Sequence, residues 1–287
     1  MSDEDYIIIA ENLVKRYDQK VALNGIDLKV KRGEIYGFLG PNGAGKTTAV
    51  RILSTLTDFD GGTVIINGHN LKKNIMKAKV SVGVIQQHIS LDKDLTVMEN
   101  MRHRALMHQI PKNKREERIA ELIEYFSLDE YLDSKIDSLS GGWKKRVSII
   151  CAIIHSPEII FLDEPTVGLD IKARRLLWEL IRLLNKDGTT VFLTTHYIEE
   201  AQALCDRVGI IDNGKIIADG TPSDLSESLG KFTVVATDPD GKSVYKYFPD
   251  RASASEYGNS MTNGEILIRR TNLEDCFVEL TGRTVKN

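Results

Sequence analysis

The feature that most constrains the fold is the octapeptide Gly40–Thr47, which reads GPNGAGKT. It fits the pattern GxxxxGK[ST], with a predicted strand before it at Glu34–Leu39 and a predicted helix after it at Lys46–Ser54. In such a loop the glycines let backbone N–H groups close around phosphate oxygens, and the helix N-terminus adds partial positive charge. A chance glycine-rich turn is the competing interpretation, and the strand–loop–helix context makes it the weaker one.

The loop also carries side chains suited to a nucleotide. Lys46 brings a positive charge to the β- and γ-phosphates, and Thr47 offers a hydroxyl to Mg²⁺. The residues predicted to hold the phosphates are Asn42, Gly43, Ala44, Gly45, Lys46, Thr47 and Thr48.

A second segment, Ile159–Glu164, is an apolar strand that ends in two acids. A buried strand would deliver Asp163 to the edge of a nucleotide site, where it can hold Mg²⁺ directly or through water. Glu164 points in a different direction and can act as the general base on an attacking water. The alternative is a strand that ends in a solvated acidic turn. A phosphate loop in the same chain favours the catalytic interpretation.

The arrangement of apolar runs predicts the fold class. Short β-branched runs such as Ile159–Leu162 and Thr190–Thr194 are typical of buried parallel strands, and they alternate with predicted helices. The pattern changes after Leu225. Three further strands and a closing helix are predicted there, at Phe232–Ala236, Val244–Phe248, Glu265–Ile268 and Asn272–Leu280.

Composition argues against three classes of protein: those that bind nucleic acid, those held by disulfides or metals, and those that span a membrane. A formal charge of −3 and a pI of about 6.1 argue against nucleic acid as a partner, because phosphate neutralisation needs a basic face. Cys151, Cys205 and Cys276 lie far apart and predict neither disulfide nor metal site. Uncharged apolar runs such as Val147–Ile154 stop short of the ~20 residues of a membrane helix. We therefore predict no direct membrane insertion and a cytoplasmic location.

The sequence LSGG at Leu139–Gly142 then narrows the class. With the two elements above, it makes the chain closely similar to the ABC (ATP-binding cassette) ATPase family. Further family landmarks follow in the family's order, at Tyr17, Gln87, Gly168–Asp170 and His196. The resemblance covers about residues 6–225.

The resemblance implies an architecture. The expected fold is α/β, with a P-loop (RecA-like) core, an antiparallel β-subdomain, an inserted helical subdomain and a small C-terminal α+β module. The expected boundaries are 1–225 for the ATPase domain, with its helical subdomain at about 88–155, and 226–287 for the accessory module.

The resemblance also implies roles for residues outside the loop. Tyr17 should stack on adenine, although core packing is the default for a lone tyrosine. Gln87 should contact Mg²⁺ and the attacking water; Gln86 competes, and the spacing to Leu95–Val97 favours Gln87. His196 should reach the γ-phosphate, where the alternative is a structural histidine at a strand end.

The implied catalytic set is Glu164, His196, Gln87 and Lys46, and the implied Mg²⁺ ligands are Thr47, Gln87 and Asp163.

Ser140 and Gly142 begin a predicted helix, so their hydroxyl and N–H groups form a second anion site. The resemblance places this site on the ATP of the other subunit, in a head-to-tail homodimer with two nucleotides at its interface. Trp143 departs from the family pattern, which usually has glutamine there, and its consequence is open. The basic runs Lys112–Arg115 and Lys144–Arg146 are interpreted as solvated faces rather than docking sites.

The implied function is Mg²⁺-dependent ATP hydrolysis that energises a permease on a separate chain, at the inner face of the cell membrane. The segments Thr195–Ala201 and Asn272–Arg283 resemble those of drug, lipid and polysaccharide exporters.

The alternative is a soluble ABC ATPase with a non-transport mechanochemical role; tandem cassettes or a long coiled-coil insertion would favour it, and the sequence has neither. A regulatory GTPase is set aside because Asn185–Gly188 lacks the final acid of NKxD. The cargo stays open.

Overall fold

The computed structural model describes residues 3–87, 90–237, 243–261 and 264–282. The strands are β1 Tyr6–Tyr17, β2 Lys20–Lys31, β3 Ile35–Leu39, β4 Gly61–Ile66, β5 His69–Asn70, β6 Val82–Ile85, β7 Ile159–Asp163, β8 Thr190–Thr195, β9 Arg207–Asp212, β10 Lys215–Gly220, β11 Phe232–Thr237, β12 Ser243–Phe248 and β13 Glu265–Arg270. The helices are α1 Lys46–Leu53, α2 Leu71–Val80, α3 Val97–Met107, α4 Lys112–Phe126, α5 Gly141–Ala152, α6 Ile171–Lys186, α7 Ile198–Leu204, α8 Pro222–Glu227, α9 Arg251–Ser260 and α10 Leu273–Thr281.

The central sheet has the strand order β10-β9-β3-β8-β7-β6 and is parallel except for β10 at its edge. Strands β3, β7 and β8 are buried throughout, which explains their continuous apolar runs. Leu39 pairs with Thr195, and Asp163 pairs with Thr194. The phosphate loop follows β3, the acidic pair lies at the end of β7, and His196 follows β8. All three therefore lie at the carboxyl edge of the sheet.

A second sheet, with the order β2-β1-β4-β5, is antiparallel and shares a hydrophobic core with α1 and one face of the central sheet. It confirms the expected antiparallel β-subdomain. Tyr17 ends β1 at a tight hairpin in which it pairs with Lys20. This hairpin brings the tyrosine to the margin of the site described below.

Helices α3, α4 and α5 lie between β6 and β7, where the inserted helical subdomain is expected. Helix α3 starts at a capping box: Thr96 Oγ1 accepts from the N–H of Glu99 at 3.2 Å, and the Thr96 N–H donates to Glu99 Oε2 at 2.8 Å. Helix α4 buries Ile119, Leu122 and Phe126 on one face. This spacing of three and four residues is the helical period that turns one apolar stripe inward.

The C-terminal segment builds its own antiparallel sheet, in the order β12-β11-β13. Its last helix, α10, nevertheless buries Leu273, Cys276 and Phe277 in the same core cluster as the parallel sheet. Helix α8 crosses the expected boundary at residues 225 and 226. The division into 1–225 and 226–287 stays a prediction.

Among the described residues, every helix is either too short or too polar to cross a bilayer.

Two histidines stack where the helical insertion meets the central sheet. His108, which caps the end of α3, lies on His155, with ring centroids 3.7 Å apart and planes 5° apart. Burial lowers the pKa of both rings, that of His155 to about 4, and the nearby charges of Arg104 and Arg118 act in the same direction. The two rings and Cys151 line one cavity of about 140 Å³. Burial raises the pKa of Cys151 to about 12, which keeps the thiol neutral. Both rings are therefore neutral near pH 7.

The stacked histidines predict that the folded state loses stability as the pH falls below neutrality. In the unfolded chain His155 would take up its proton near its ordinary pKa of about 6.5, so the unfolded state gains stability as pH falls from there toward 4. We expect a lower melting temperature at pH 5 than at pH 7. The difference should shrink in His155→Phe, which keeps a ring beside His108 and loses only the hydrogen bond to Val82 O. An exposed-site control, His103→Phe, should keep the wild-type difference; equal differences in all three proteins would contradict the prediction.

Candidate active site

A cleft of about 400 Å³ lies at the carboxyl edge of the central sheet. Its lining residues are Tyr17, Lys20, Ala22, Asn42, Gly43, Gly45, Lys46, Thr47, Thr48, Gln87 and Glu164. The cleft thus gathers residues that the sequence predicted from four separate segments. Gln87 lines it and Gln86 does not, which supports the choice between the two glutamines.

The conformation of the loop explains its glycines. Gly45 has φ of +114°, and a Cβ there would lie 2.6 Å from Ala22 O. A Cβ at Gly40 would lie 2.4 Å from Ile211 O. Only glycine fits either position. Ala44 is buried, with its side chain in the core of the β-subdomain, so it can meet a phosphate only through its backbone.

Lys46 is the buried cation of the site, with 4% of its surface exposed. Its Nζ donates to Gly40 O at 2.8 Å and Pro41 O at 3.2 Å, and it lies 3.2 Å from Glu164 Oε1. The same carboxylate oxygen lies 3.2 Å from Nδ1 of His196. That second contact has the distance of a hydrogen bond and not its geometry, since this Nδ1 makes none. Glu164 therefore sits between Lys46 and His196.

Asp163 is also buried and is held by two hydroxyls. Thr194 Oγ1 donates to Asp163 Oδ1 at 2.6 Å, and Thr47 Oγ1 lies 3.3 Å from the same oxygen. Hydroxyl and carboxylate oxygens are the ligands that Mg²⁺ prefers, so the pair Thr47 and Asp163 fits such an ion. Thr194 was not predicted as a site residue, although its place near the end of β8, two residues before His196, was a usable signal.

The backbone turns sharply between the two acids. Glu164 has φ of +46°, a conformation uncommon outside glycine. Its N–H is held by Thr194, 3.0 Å from the side-chain Oγ1 and 3.2 Å from the carbonyl. The turn sends Glu164 toward Lys46 while Asp163 faces Thr47. Two adjacent carboxylates thereby reach two different partners.

Tyr17 is not part of the core. Its side chain is 43% exposed, and the ammonium of Lys15 lies 5.1 Å from the ring centroid. One aromatic face at the margin of the cleft is thus available to a flat, electron-rich ring.

Ser140 and Gly142 lie elsewhere. Ser140 caps α5, its Oγ accepting from the N–H of Trp143 at 3.4 Å. Both line a second cavity of about 270 Å³ that Asp170 also lines and that shares no residue with the first cleft. The helix N-terminus at Ser140 therefore lines a cavity separate from this chain's own phosphate loop, as a role at a partner's nucleotide requires.

Trp143 is held by neighbours in the helical insertion. Its ring lies on Tyr131, with centroids 3.9 Å apart, and the guanidinium of Arg146 is 4.9 Å from its centroid. The tryptophan thus packs the start of α5 against its own subdomain through aromatic and cation–π contacts. A glutamine at this position would make neither contact.

Lys145 corrects the interpretation of its basic run as a solvated face. It is only 5% exposed, and its Nζ donates to the carbonyls of Gln86 at 3.1 Å and Gln87 at 3.2 Å. Burial lowers the pKa of this amine to about 8. Lys144, next to it, is partly exposed, and its Nζ donates to Asp137 O at 2.8 Å. Sequence spacing could not separate the two lysines, because the helical phase that buries one of them is set by packing.

Comparison with known proteins agrees with this geometry. Residues 23–167 match the family described as ABC transporter. The chain is 35% identical to the linearmycin resistance ATP-binding protein LnrL of Bacillus subtilis, over 97% of this chain and 99% of that protein. It is 37% identical to Nod factor export ATP-binding protein I of Burkholderia orbicola, over 96% and 97%. The dimeric post-hydrolysis cassette MJ0796, bound to ADP and Pi, superposes with a TM-score of 0.67 at 28% identity, over 75% of this chain and 98% of that one.

An ATPase site on a P-loop sheet with a separate LSGG helix defines an ATP-binding cassette. The chain belongs to the ABC transporter family and is an ATP-binding, ATP-hydrolysing subunit of the kind found in these transporters.

Proposed function

We propose that this chain powers an exporter, by hydrolysing ATP with Mg²⁺ at two sites shared between two copies of itself. The observation that carries the proposal is the convergence of Lys46, Asp163, Glu164 and His196 at the edge of one sheet. Lys46 neutralises phosphate charge, Glu164 takes the proton of the attacking water, and His196 contacts the γ-phosphate. Tyr17 stacks on the adenine.

Thr47, Asp163 and Gln87 would hold the Mg²⁺, which supplies charge neutralisation on the phosphate oxygens. Thr194 orients Asp163 through its 2.6 Å hydrogen bond and fixes the turn to Glu164 through the backbone N–H. The remaining loop residues bind through their N–H groups at the start of α1. Asn42, Gly43, Ala44, Gly45 and Thr48 are the members of this set.

The export direction and the permease rest on relatives. Two of them are named for export or for drug resistance, and each aligns along nearly its whole length. We propose a permease on a separate chain and a position at the inner face of the cell membrane. Purification of the native protein from membranes tests this: a co-purifying membrane protein is expected. Recovery only from the soluble fraction, without such a partner, would favour the non-transport ATPase.

The shared sites have their own test. A subunit carrying Ser140→Arg should bind ATP in its own phosphate loop, because Ser140 lines a different cavity, and it should fail to dimerise on ATP. Mixed with Lys46→Ala subunits, it forms pairs in which one composite site is intact and the other carries both changes. The mixture should recover ATPase activity that neither variant shows alone. Light scattering checks the first step: ATP-dependent dimers of Ser140→Arg alone would rule out action across the interface.

A further inference from the structure

We propose that Lys145 is a positioning residue that ties the signature helix α5 to the Gln86–Gln87 backbone, so that the site a subunit forms around its own ATP and the anion site it offers to its partner move together. The inference rests on the proposed function, which assigns Gln87 to the first site and Ser140 to the second. It adds a physical connection between them. A single side chain makes this connection.

The connection is short and direct. Gly141 starts α5, and Lys145 follows four residues later, about 6 Å along the helix axis. Its Nζ donates to both Gln86 O and Gln87 O. These carbonyls lie just beyond the end of β6, outside the hydrogen-bond ladder of the sheet. Among the described residues, no backbone N–H outside the helices and strands donates to either of them.

The burial of Lys145 argues that the contact has a role. A lysine ammonium loses much of its hydration when buried, and such a group persists only where its donors are used. Asp163 and Glu200 are the carboxylates that stabilise its charge, and neither forms an ion pair with it. Its two hydrogen bonds go to the segment that carries Gln87. A methionine-sized apolar side chain would fill the same space without holding that segment.

The geometry also explains why one residue can couple two sites. Gln87 is exposed and lines the cleft, so a movement of its backbone changes the position of its side chain in the cleft. Helix α5 is one continuous helix from Gly141 to Ala152, and Ser140 caps its first turn. A shift of Gln87 toward bound nucleotide therefore pulls on α5 through Lys145, and it reorients the anion site presented to the partner.

The test uses Glu164→Gln as the parent, because slow hydrolysis allows ATP-bound dimers to be measured. Lys145→Met in this background should bind ATP as monomer within about twofold of the parent, and it should need at least tenfold more protein to dimerise. Lys145→Arg, which keeps the charge and the donors, should restore most of the dimer. The matched control is Lys144→Met, which removes the neighbouring lysine and should dimerise like the parent. Equilibrium dialysis and light scattering give the two quantities.

In the otherwise wild-type chain, Lys145→Met should lower kcat for ATP at an unchanged KM. Dimerisation of Lys145→Met at the parent's concentration overturns the inference alone. A parent that stays monomeric with ATP overturns the composite sites, and this inference with them. If Lys145→Met does not fold, Lys145→Gln, whose neutral amide reaches at most one carbonyl, is measured instead and should dimerise more weakly than the parent. Loss of folding in both would make Lys145 a packing residue and overturn the positioning role.

Discussion

Glu164→Gln is expected to bind ATP and Mg²⁺ normally and to hydrolyse ATP about 10²- to 10⁴-fold more slowly, the usual contribution of a general base. The amide keeps the shape of the carboxyl group and an oxygen that can accept from Lys46, 3.2 Å away in the structure. It cannot take a proton from water. The nucleotide should therefore stay in the site long enough for ATP-bound dimers to accumulate.

Phosphate release, equilibrium binding of ATP and light scattering measure the three parts of this result. Glu199→Gln is the matched control, since Glu199 lies at the start of α7 on the surface and pairs loosely with Arg174 at 3.9 Å. The control should hydrolyse ATP at the wild-type rate. Near-wild-type turnover in Glu164→Gln would remove this residue from the general-base role and leave Asp163 as the carboxylate to examine.

Lys46→Ala should lose most nucleotide binding as well as turnover. A charge-assisted hydrogen bond contributes about 1.5–3 kcal/mol, which corresponds to a loss in ATP affinity of about tenfold to a hundredfold. The substitution also leaves the Glu164 carboxylate facing the phosphates without the ammonium that separates them. Repulsion between these like charges adds to the loss.

Equilibrium binding of ATP compares Lys46→Ala with Lys77→Ala, which removes an exposed lysine from α2 and should bind like the wild type. Both proteins should bind adenosine, which has no phosphates, with similarly low affinity. Unchanged ATP affinity in Lys46→Ala would contradict the assignment of the phosphate loop.

Much of the fold could be predicted because its determinants are local. Gly40–Thr47 needs one strand before it and one helix after it, and Ile159–Glu164 carries both its burial pattern and its terminal acids within six residues. Since parallel strands deliver their carboxyl ends to one edge, two such segments are enough to predict a site there. The structure has both at that edge.

Other parts of the site depend on contacts between distant segments. The pairing of Thr194 with Asp163 joins two strands and needs the register of β7 on β8. The burial of Lys145 depends on how α5 rotates against the end of β6, and two adjacent lysines look alike in the sequence. Trp143 was recognised as a departure from the family pattern, but its contact with Tyr131 could not be foreseen from spacing alone.

The position of α10 changes what it would mean to shorten this chain. Leu273 and Phe277 belong to the same buried cluster as Ile198 and Leu225, so the last helix is part of the core of the ATPase domain and not only a part of the tail. A chain cut after Leu225 would expose this part of the core to water. Each large apolar side chain left unburied would lower the free energy of unfolding by about 1.5–3 kcal/mol. Substitutions on the outer face of the three-stranded sheet, where Tyr245 and Leu267 meet solvent, should cost less stability than substitutions of the buried Leu273 or Phe277. Helix α10 therefore contributes to the core of the parallel sheet, although the sequence predicts it as part of a separate module.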